Sequence, residues 1–476
     1  MKMMKALFYA VSVMIAFTGC NSIDLQTEEP NAPQEWKVSI QATKGDASGQ
    51  TKALSESGST ITASWEAGDV VYILDKNGNQ YGQMTAQSSG TSTSLIGTIT
   101  RTMTVRKTYT LRYVQNGSNY IDLRSQNGSF SDIAHNFDLA ESSVTVKSVD
   151  GYNVTFNETN VHFESRVSIT KFTFDRKIVN VDIFSTNLKA YDRIGYSFNY
   201  NFIDVIPTAE TQTVYVVIST MEAKKAVFLF LAKDKDGLYY TAAKKAQLEN
   251  GKNYETNVTL AAMPEYVDLG IVRDEKHVCW ATKNVGASSP GEVGNYYAWA
   301  ETSSKSKYSW DNYAYGAYSW VTKYDPDRSD QGVVDGLASL LPEDDAATVA
   351  LGSGWRTPRY NDFLDLLNSS NTEVMTAYAD GRWGYAFHSK IEGYAGKFIF
   401  IPHTSGYYEK DALTTADSYG ERGGYYWSNT IDQLTYTSSS YALIMEFTGN
   451  QYNSQRPETS RMQRAYGLAV RPVYVH

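Results

Sequence analysis

From Trp36 onward, apolar and polar residues alternate with the period of a β-strand. Lys37-Val38-Ser39-Ile40, Ile61-Thr62-Ala63-Ser64-Trp65 and Val70-Val71-Tyr72-Ile73-Leu74 each gather their apolar side chains on one face, and Asp75-Lys76-Asn77-Gly78 closes the third with turn residues. The pattern returns in His162-Phe163-Glu164-Ser165-Arg166-Val167-Ser168-Ile169-Thr170-Lys171-Phe172 and in Val214-Tyr215-Val216-Val217-Ile218. It returns again in a hairpin from Ala226 to Thr241, whose Asp236-Gly237 suits a positive-φ turn. Regular strand spacing without helical periods predicts two β-sandwiches, one over residues 35–141 and one over 142–263. Ala261-Ala262-Met263-Pro264 reads as the hinge that follows them.

Beyond the hinge the pattern changes, and residues 264–476 form a third, α+β module. Thr357 can cap a helix with Pro358 at its first position, where no amide hydrogen is needed. Tyr360, Phe363, Leu366 and Leu367 then recur at helical spacing and supply one buried face. The rest of this module is strand and turn, so the chain as a whole is mainly β.

The first 34 residues belong to none of these units. Lys2 and Lys5 precede an apolar run from Ala6 to Phe17, too short for a permanent membrane helix, and Phe17-Thr18-Gly19-Cys20 ends it. Residues 1–20 therefore read as a signal peptide, and the small residues before Cys20 resemble a lipobox, which implies cleavage before Cys20 and acylation of its thiol. Several acyl chains exceed the single-chain threshold for stable anchoring, so an outer-membrane lipoprotein exposed at the cell surface is expected. Residues 21–34 are polar, carry Pro30 and Pro33, and read as a tether. Glu29-Pro30-Asn31 matches a calcium-lectin sugar triplet but lies outside the third module.

Composition narrows the partners. A chain of 476 residues with 42% hydrophobic content can bury several cores, and a net charge of −9 leaves no basic stripe for phosphates. Nucleic acid is excluded as a partner on that basis. Seven of the nine tryptophans (Trp280, Trp299, Trp310, Trp320, Trp355, Trp383 and Trp427) fall in the third module, where most are expected in the core.

Several motifs carry resemblances. Trp65-Glu66-Ala67-Gly68-Asp69-Val70-Val71 and Asn250-Gly251-Lys252-Asn253-Tyr254-Glu255-Thr256-Asn257-Val258-Thr259-Leu260 are similar to fimbrillin-like proteins of Bacteroidetes-type bacteria, which have transthyretin-like β-sandwiches. Val267-Asp268-Leu269-Gly270, Trp280-Ala281-Thr282-Lys283-Asn284-Val285-Gly286, Tyr296-Tyr297-Ala298-Trp299-Ala300-Glu301-Thr302, Trp355-Arg356-Thr357-Pro358, Gly424-Tyr425-Tyr426-Trp427-Ser428-Asn429 and Val470-Arg471-Pro472 occur in the order of a surface-protein domain. That domain is similar to the C-type lectin-like fold and, more distantly, to the formylglycine-generating enzyme. The fimbrillin resemblance implies assembly with other pilin subunits by donor-strand exchange, after a trypsin-like protease removes the first strand. Lys44 and Lys52 are the candidate cut sites, against a plain reading as solvated loop lysines. Gly467 to Tyr474 belongs to the third module and leaves no strand to donate, so a pilus tip subunit is expected.

Catalytic chemistry is sparse. With Cys20 acylated, Cys279 is the only thiol, and in the apolar run His277-Val278-Cys279-Trp280 it reads as a buried small hydrophobe. The six histidines are scattered, and no metalloprotease, serine-hydrolase or phosphate-loop motif is present, so the chain is read as a non-enzyme without cofactor. Glu343, Asp344 and Asp345 precede a helical run and are expected to be structural. Asp325, Asp327 and Asp330 offer hard oxygens to Ca2+ without the spacing of an EF-hand. Surface recognition is left, in the polar and aromatic segment after Trp427. There Tyr436, Asn450, Tyr452, Asn453, Gln455 and Arg461 are the candidate ligand residues for a host or bacterial glycan or protein, because Tyr offers rigid amphipathic area and Asn adaptable hydrogen bonds. Asn429, Asp432 and Tyr441 accompany them. The leading expectation is a pilus-tip adhesin; the alternatives are a glycan-capture lipoprotein for nutrient uptake and, remotely, a formylglycine-generating-type enzyme.

Overall fold

The computed structural model describes residues 35–44, 54–57, 60–196, 199–325, 335–409, 411–413, 423–432, 440–447 and 457–476. Cys20, Lys52 and the expected signal and tether segments lie outside the described residues. Among the described residues no helix is long and apolar enough to cross a membrane.

Trp36–Lys44 buries every second side chain, as its alternation requires. It pairs antiparallel with Ser92–Ile99 on one side and parallel with Asn160–Ser165 on the other. The sheet continues through Leu139–Asp150, Thr108–Val114, Val70–Leu74 and Gln80–Ala86 back to Ser92–Ile99, so it closes on itself. The first unit is thus a closed sheet and not two facing ones. Its core holds Val38, Ile40, Val71, Leu95 and Leu111, with Trp65 set edge-on to Phe163 at 5.0 Å and to Tyr113 at 5.4 Å. The boundary expected at residue 142 falls inside Leu139–Asp150, and the following strands Asn153–Phe156 and Asn160–Ser165 belong to this first sheet. Alternation could not mark the change, because Asn160–Ser165 and Ser168–Ile178 are both half-buried strands with the same period.

The second unit is a sandwich. A three-stranded sheet (Thr211–Ile218, Ser168–Ile178, Asn253–Val258) faces a six-stranded one built on Tyr239–Gln247, Lys225–Lys233, Asn180–Phe184 and Phe202–Val205. The outer edge of the larger sheet is Ser125–Gln126, a piece of chain from the first unit, and Tyr120–Asp122 pairs with Tyr191–Arg193. The two units are therefore stitched together by backbone hydrogen bonds. Ala261–Ala262, expected as a hinge, pairs with Tyr239–Gln247, and the Met263 N–H donates to the Tyr239 carbonyl at 2.9 Å. A segment held in a ladder is no hinge.

In the third module Lys276–Ala281 lies between Tyr266–Arg273 and Val473–Val475, so the beginning and end of the module share one sheet. The predicted helix forms over Tyr360–Leu367 and buries Phe363 and Leu366. It starts two residues later than expected. Arg359 occupies the cap position, with the Asp362 carboxylate accepting its N–H at 2.7 Å. Thr357 instead donates its hydroxyl to Asp345 at 2.7 Å, and Asp345 caps the short helix Ala346–Leu351. A buried carboxylate needing donors drew the threonine away from the cap.

A third sheet, Thr372–Ala379, Arg382–Ser389 and Phe398–Pro402, joins this module to the sandwich. Met375, Ala377, Ala386, Phe398 and Phe400 share one continuous core with Phe184, Phe202, Val205 and Phe230. At the centre of the seam, Asp380 accepts from Tyr239 (2.6 Å) and Lys233 (3.2 Å) of the sandwich and from Ser289 (2.5 Å) and the Gly291 N–H (3.2 Å) of the module. Burial pushes its pKa up, but the Ser289 and Tyr239 hydrogen bonds and the Lys233 charge outweigh that and hold it below the ordinary carboxylate range.

Candidate functional site

The candidate ligand residues leave the chain at two places. Tyr441–Phe447 pairs antiparallel with Glu458–Gln463, Tyr441 opposite Gln463 and Glu446 opposite Glu458. The anchors of segment 433–439 adjoin the Tyr441 end, and those of segment 448–456 adjoin the Phe447 end, a separation of about 20 Å for a seven-residue strand. Tyr436, Asn450, Tyr452, Asn453 and Gln455 themselves lie outside the described residues. Of the six, Arg461 is described. It is exposed, its guanidinium lies 4.9 Å over the Tyr441 ring, and it pairs with the buried Asp432 at 3.1 Å. Asn429 is buried, so it is not a surface contact.

Beside Arg461 the structure assembles a face that alternation did not reveal. The short hairpin Gly316–Ala317 and Trp320–Val321 turns at Tyr318 and Ser319, leaving Tyr318 48% and Trp320 52% exposed. The Tyr318 ring stands edge-on to Trp310 at 5.8 Å and to Tyr441 at 6.4 Å. Trp310 in turn donates its indole N–H to Gln463 at 2.8 Å, and Ser440 donates its hydroxyl to the Tyr318 carbonyl at 2.6 Å. The Tyr318 hydroxyl is raised above its usual pKa, first by its hydrogen bond with Tyr441, so it stays neutral and able to donate. The sequence signal was the run Trp310-Asp311-Asn312-Tyr313-Ala314-Tyr315-Gly316-Ala317-Tyr318-Ser319-Trp320, dense in aromatics but without strand alternation.

This hairpin is backed by fixed charge. Arg464 is fully buried, its guanidinium stacked 4.7 Å from Trp299 and donating to the Tyr313 hydroxyl at 2.9 Å and the Lys323 carbonyl at 3.0 Å. Asp344 accepts from Lys323 at 2.5 Å, from Tyr315 at 2.6 Å and from Tyr324. Burial raises the Asp344 pKa, but those three donors overcome it and keep the carboxylate ionised below its usual range. The chain on both sides of the exposed Tyr318 and Trp320 is thus pinned to the module's core.

Several other candidates lie in buried or hydrogen-bonded surroundings. Cys279 is buried, its sulfur 3.8 Å from His476 Nδ1, and burial followed by the Asp268 charge pushes the thiol up to about 12. A thiol so protonated is a poor nucleophile. Asp345 serves its helix as expected. Asp325 is buried with its N–H bonded to Asp335 at 3.0 Å, while Asp327 and Asp330 lie outside the described residues. No group of three or more metal-binding side chains occurs among the described residues. Lys44, expected in a loop, is the last residue of Trp36–Lys44 and only 1% exposed. Its ammonium lies 2.5 Å from the buried Asp138 carboxylate and 3.6 Å from the centre of the Tyr113 ring.

The fold is that of a mainly β chain with exposed aromatic side chains on its last module. No family model matches the sequence, and no curated protein matches it. Among solved structures, the chain is similar to the tip fimbrial protein Mfa3 from Porphyromonas gingivalis, with 10% identity, a TM-score of 0.26, and coverage of 48% of this chain and 96% of that one. It is also similar to a fimbrial assembly protein from Parabacteroides distasonis, with 14% identity, a TM-score of 0.27, and coverage of 47% of this chain and 91% of that one. Likenesses this distant carry no functional argument, which must come from the residues themselves.

Proposed function

We propose that this chain is a cell-surface adhesin, a lipid-anchored pilus tip subunit whose C-type lectin-like module binds a glycan or protein on another surface. The observation that carries this reading is the exposed pair Tyr318 and Trp320 beside Tyr441 and Arg461, on a hairpin pinned from behind. Large aromatics held rigid in solvent lose little entropy on binding and can stack on sugar rings or on peptide side chains. Donor-strand assembly is supported by the position of Trp36–Lys44. Its removal would leave Ser92–Ile99 and Asn160–Ser165 as two unpaired edges with a groove between them for a neighbour's strand.

The test is a glycan and protein array probed with the full chain and with a Tyr318→Ala/Trp320→Ala variant. Loss of binding by the variant at unchanged melting temperature is expected; equal binding by both overturns the reading. The stationary nutrient-capture lipoprotein stays as the second reading because Lys44 is buried in a buried ion pair, which protects the first strand from cleavage there. A mature chain that retains its acylated amino terminus favours that reading, and one beginning after Lys52 favours the pilus.

A further inference from the structure

Where the three units meet, a pocket of ≈ 410 Å³ opens that belongs to none of them alone. Asp122, Arg124 and Ser125 come from the chain that crosses out of the first unit, Phe202 and Asp204 from the sandwich, and Tyr378 and Trp383 from the third module. Its volume lies within the range of roughly 300–1,000 Å³ that accommodates small ligands. We propose that this junction pocket is a second binding site, distinct from the adhesive face, and that its ligand is a neutral saccharide.

The ligand class follows from the walls. Phe202 is buried and stands edge-on to Trp383 at 5.1 Å and stacked with Tyr378 at 5.9 Å, while Tyr378 and Trp383 are each half-buried and still present aromatic surface to solvent. The polar side carries both donors and acceptors. Arg124 is fixed by Asp122, with Nε and Nη2 on its two oxygens at 2.8 and 2.6 Å, and its guanidinium lies 4.3 Å over the Tyr200 ring. Asp204 accepts from Asn180 at 2.7 Å.

A cationic ligand would meet the Arg124 guanidinium, which lines the pocket. An anionic one would meet two aspartates. A neutral ring with hydroxyl edges and apolar faces suits all the walls at once, since each hydroxyl both donates and accepts and the C–H faces lie against indole and phenol. Because one wall belongs to the third module, bound ligand would also strengthen the attachment of that module to the sandwich.

The experiment uses the full chain and methyl glycosides of glucose, galactose, mannose and N-acetylglucosamine at up to about 10 mM, ten-fold above a millimolar Kd. Saturation-transfer NMR and tryptophan fluorescence read binding. N-acetyl-lysine amide and glucuronate serve as the cationic and anionic arms. At least one neutral glycoside is expected to bind saturably. Ser125→Trp, at an exposed rim position that leaves the core untouched, and Tyr378→Ala are each expected to weaken it at least ten-fold. Ser125→Trp should leave the melting temperature in place, and Trp320→Ala on the adhesive face should leave this binding intact. No saturable binding by any neutral glycoside, preference for either charged probe, or binding unaffected by Ser125→Trp overturns the proposal. Loss of binding in Trp320→Ala would instead assign the signal to the adhesive face and overturn it too.

Discussion

Asp380 offers a direct measure of how firmly the third module is fixed to the sandwich. Asp380→Asn preserves the size of the side chain, and asparagine tolerates the left-handed backbone at this turn, where φ is 49°. What it removes is a carboxylate that accepts from Tyr239, Lys233, Ser289 and the Gly291 N–H. A hydrogen bond to a charged group contributes about 1.5–3 kcal/mol, but the sum is not additive. Lys233 and Ser289 can be re-solvated, and the new amide keeps one acceptor oxygen. A loss of about 3 kcal/mol is the consequence. At roughly 2–4 °C per kcal/mol for a cooperative unit of this scale, the melting temperature should fall by about 6–12 °C. Calorimetry on the full chain measures it, and sandwich and module should unfold in one transition because they share a core. A shift below about 1 °C, or a module that melts apart from the sandwich in the unmutated chain, refutes the reasoning. Lys233→Met combined with Asp380→Asn should cost less than the sum of the two single changes, since both remove the same ion pair.

Asp182 and Asp204 oppose each other across the strands Asn180–Phe184 and Phe202–Val205. Both carboxyls are raised, by burial first and, for Asp182, by the Asp204 charge next. A carboxyl raised on folding holds its proton more tightly folded than unfolded, so its contribution is present below the unfolded value of about 3.9 and is lost as pH climbs through the folded value. Asp182→Asn should therefore flatten the fall of stability above about pH 4 and exceed the unmutated chain near neutrality, as read by urea unfolding across pH. Asp138→Ala leaves the buried Lys44 ammonium without its counter-charge and should cost about 3–5 kcal/mol. It should also speed tryptic cleavage after Lys44, detected by mass spectrometry; equal cleavage in both proteins would show that Lys44 is already accessible. Iodoacetamide should label Cys279 in the native chain about 1,000-fold more slowly than an unfolded thiol, given its raised pKa and burial.

The local elements were legible in the sequence because each is set by neighbours along the chain. Nine alternating residues from Trp36 make a strand, and Phe363 with Leu366 makes one face of a helix, whatever surrounds them. The structural role of Asp345 could be read from its place before a helical run, and the inert character of Cys279 from its apolar neighbours. Which strands share a sheet was not legible. The edge strand Ser125–Gln126 lies among residues of the first unit yet pairs in the second, and Asn160–Ser165 does the reverse of what its position suggested. Alternation reports that one face is buried and says nothing of what buries it. The exposed aromatic face and the junction pocket belong to this second kind of information. Tyr318 and Trp320 differ from the buried Trp299 and Trp427 only in what packs on them, and Asp122, Phe202 and Trp383 become neighbours only through contacts between units. The sequence alone determined the periods and turns, which depend on residues a few positions apart, whereas the cap of Tyr360–Leu367 passed from Thr357 to Arg359 because the buried Asp345 engaged Thr357. The tertiary structure decided closure of the first sheet, docking of the third module and the exposure of particular aromatics, because these depend on contacts between segments far apart in the chain.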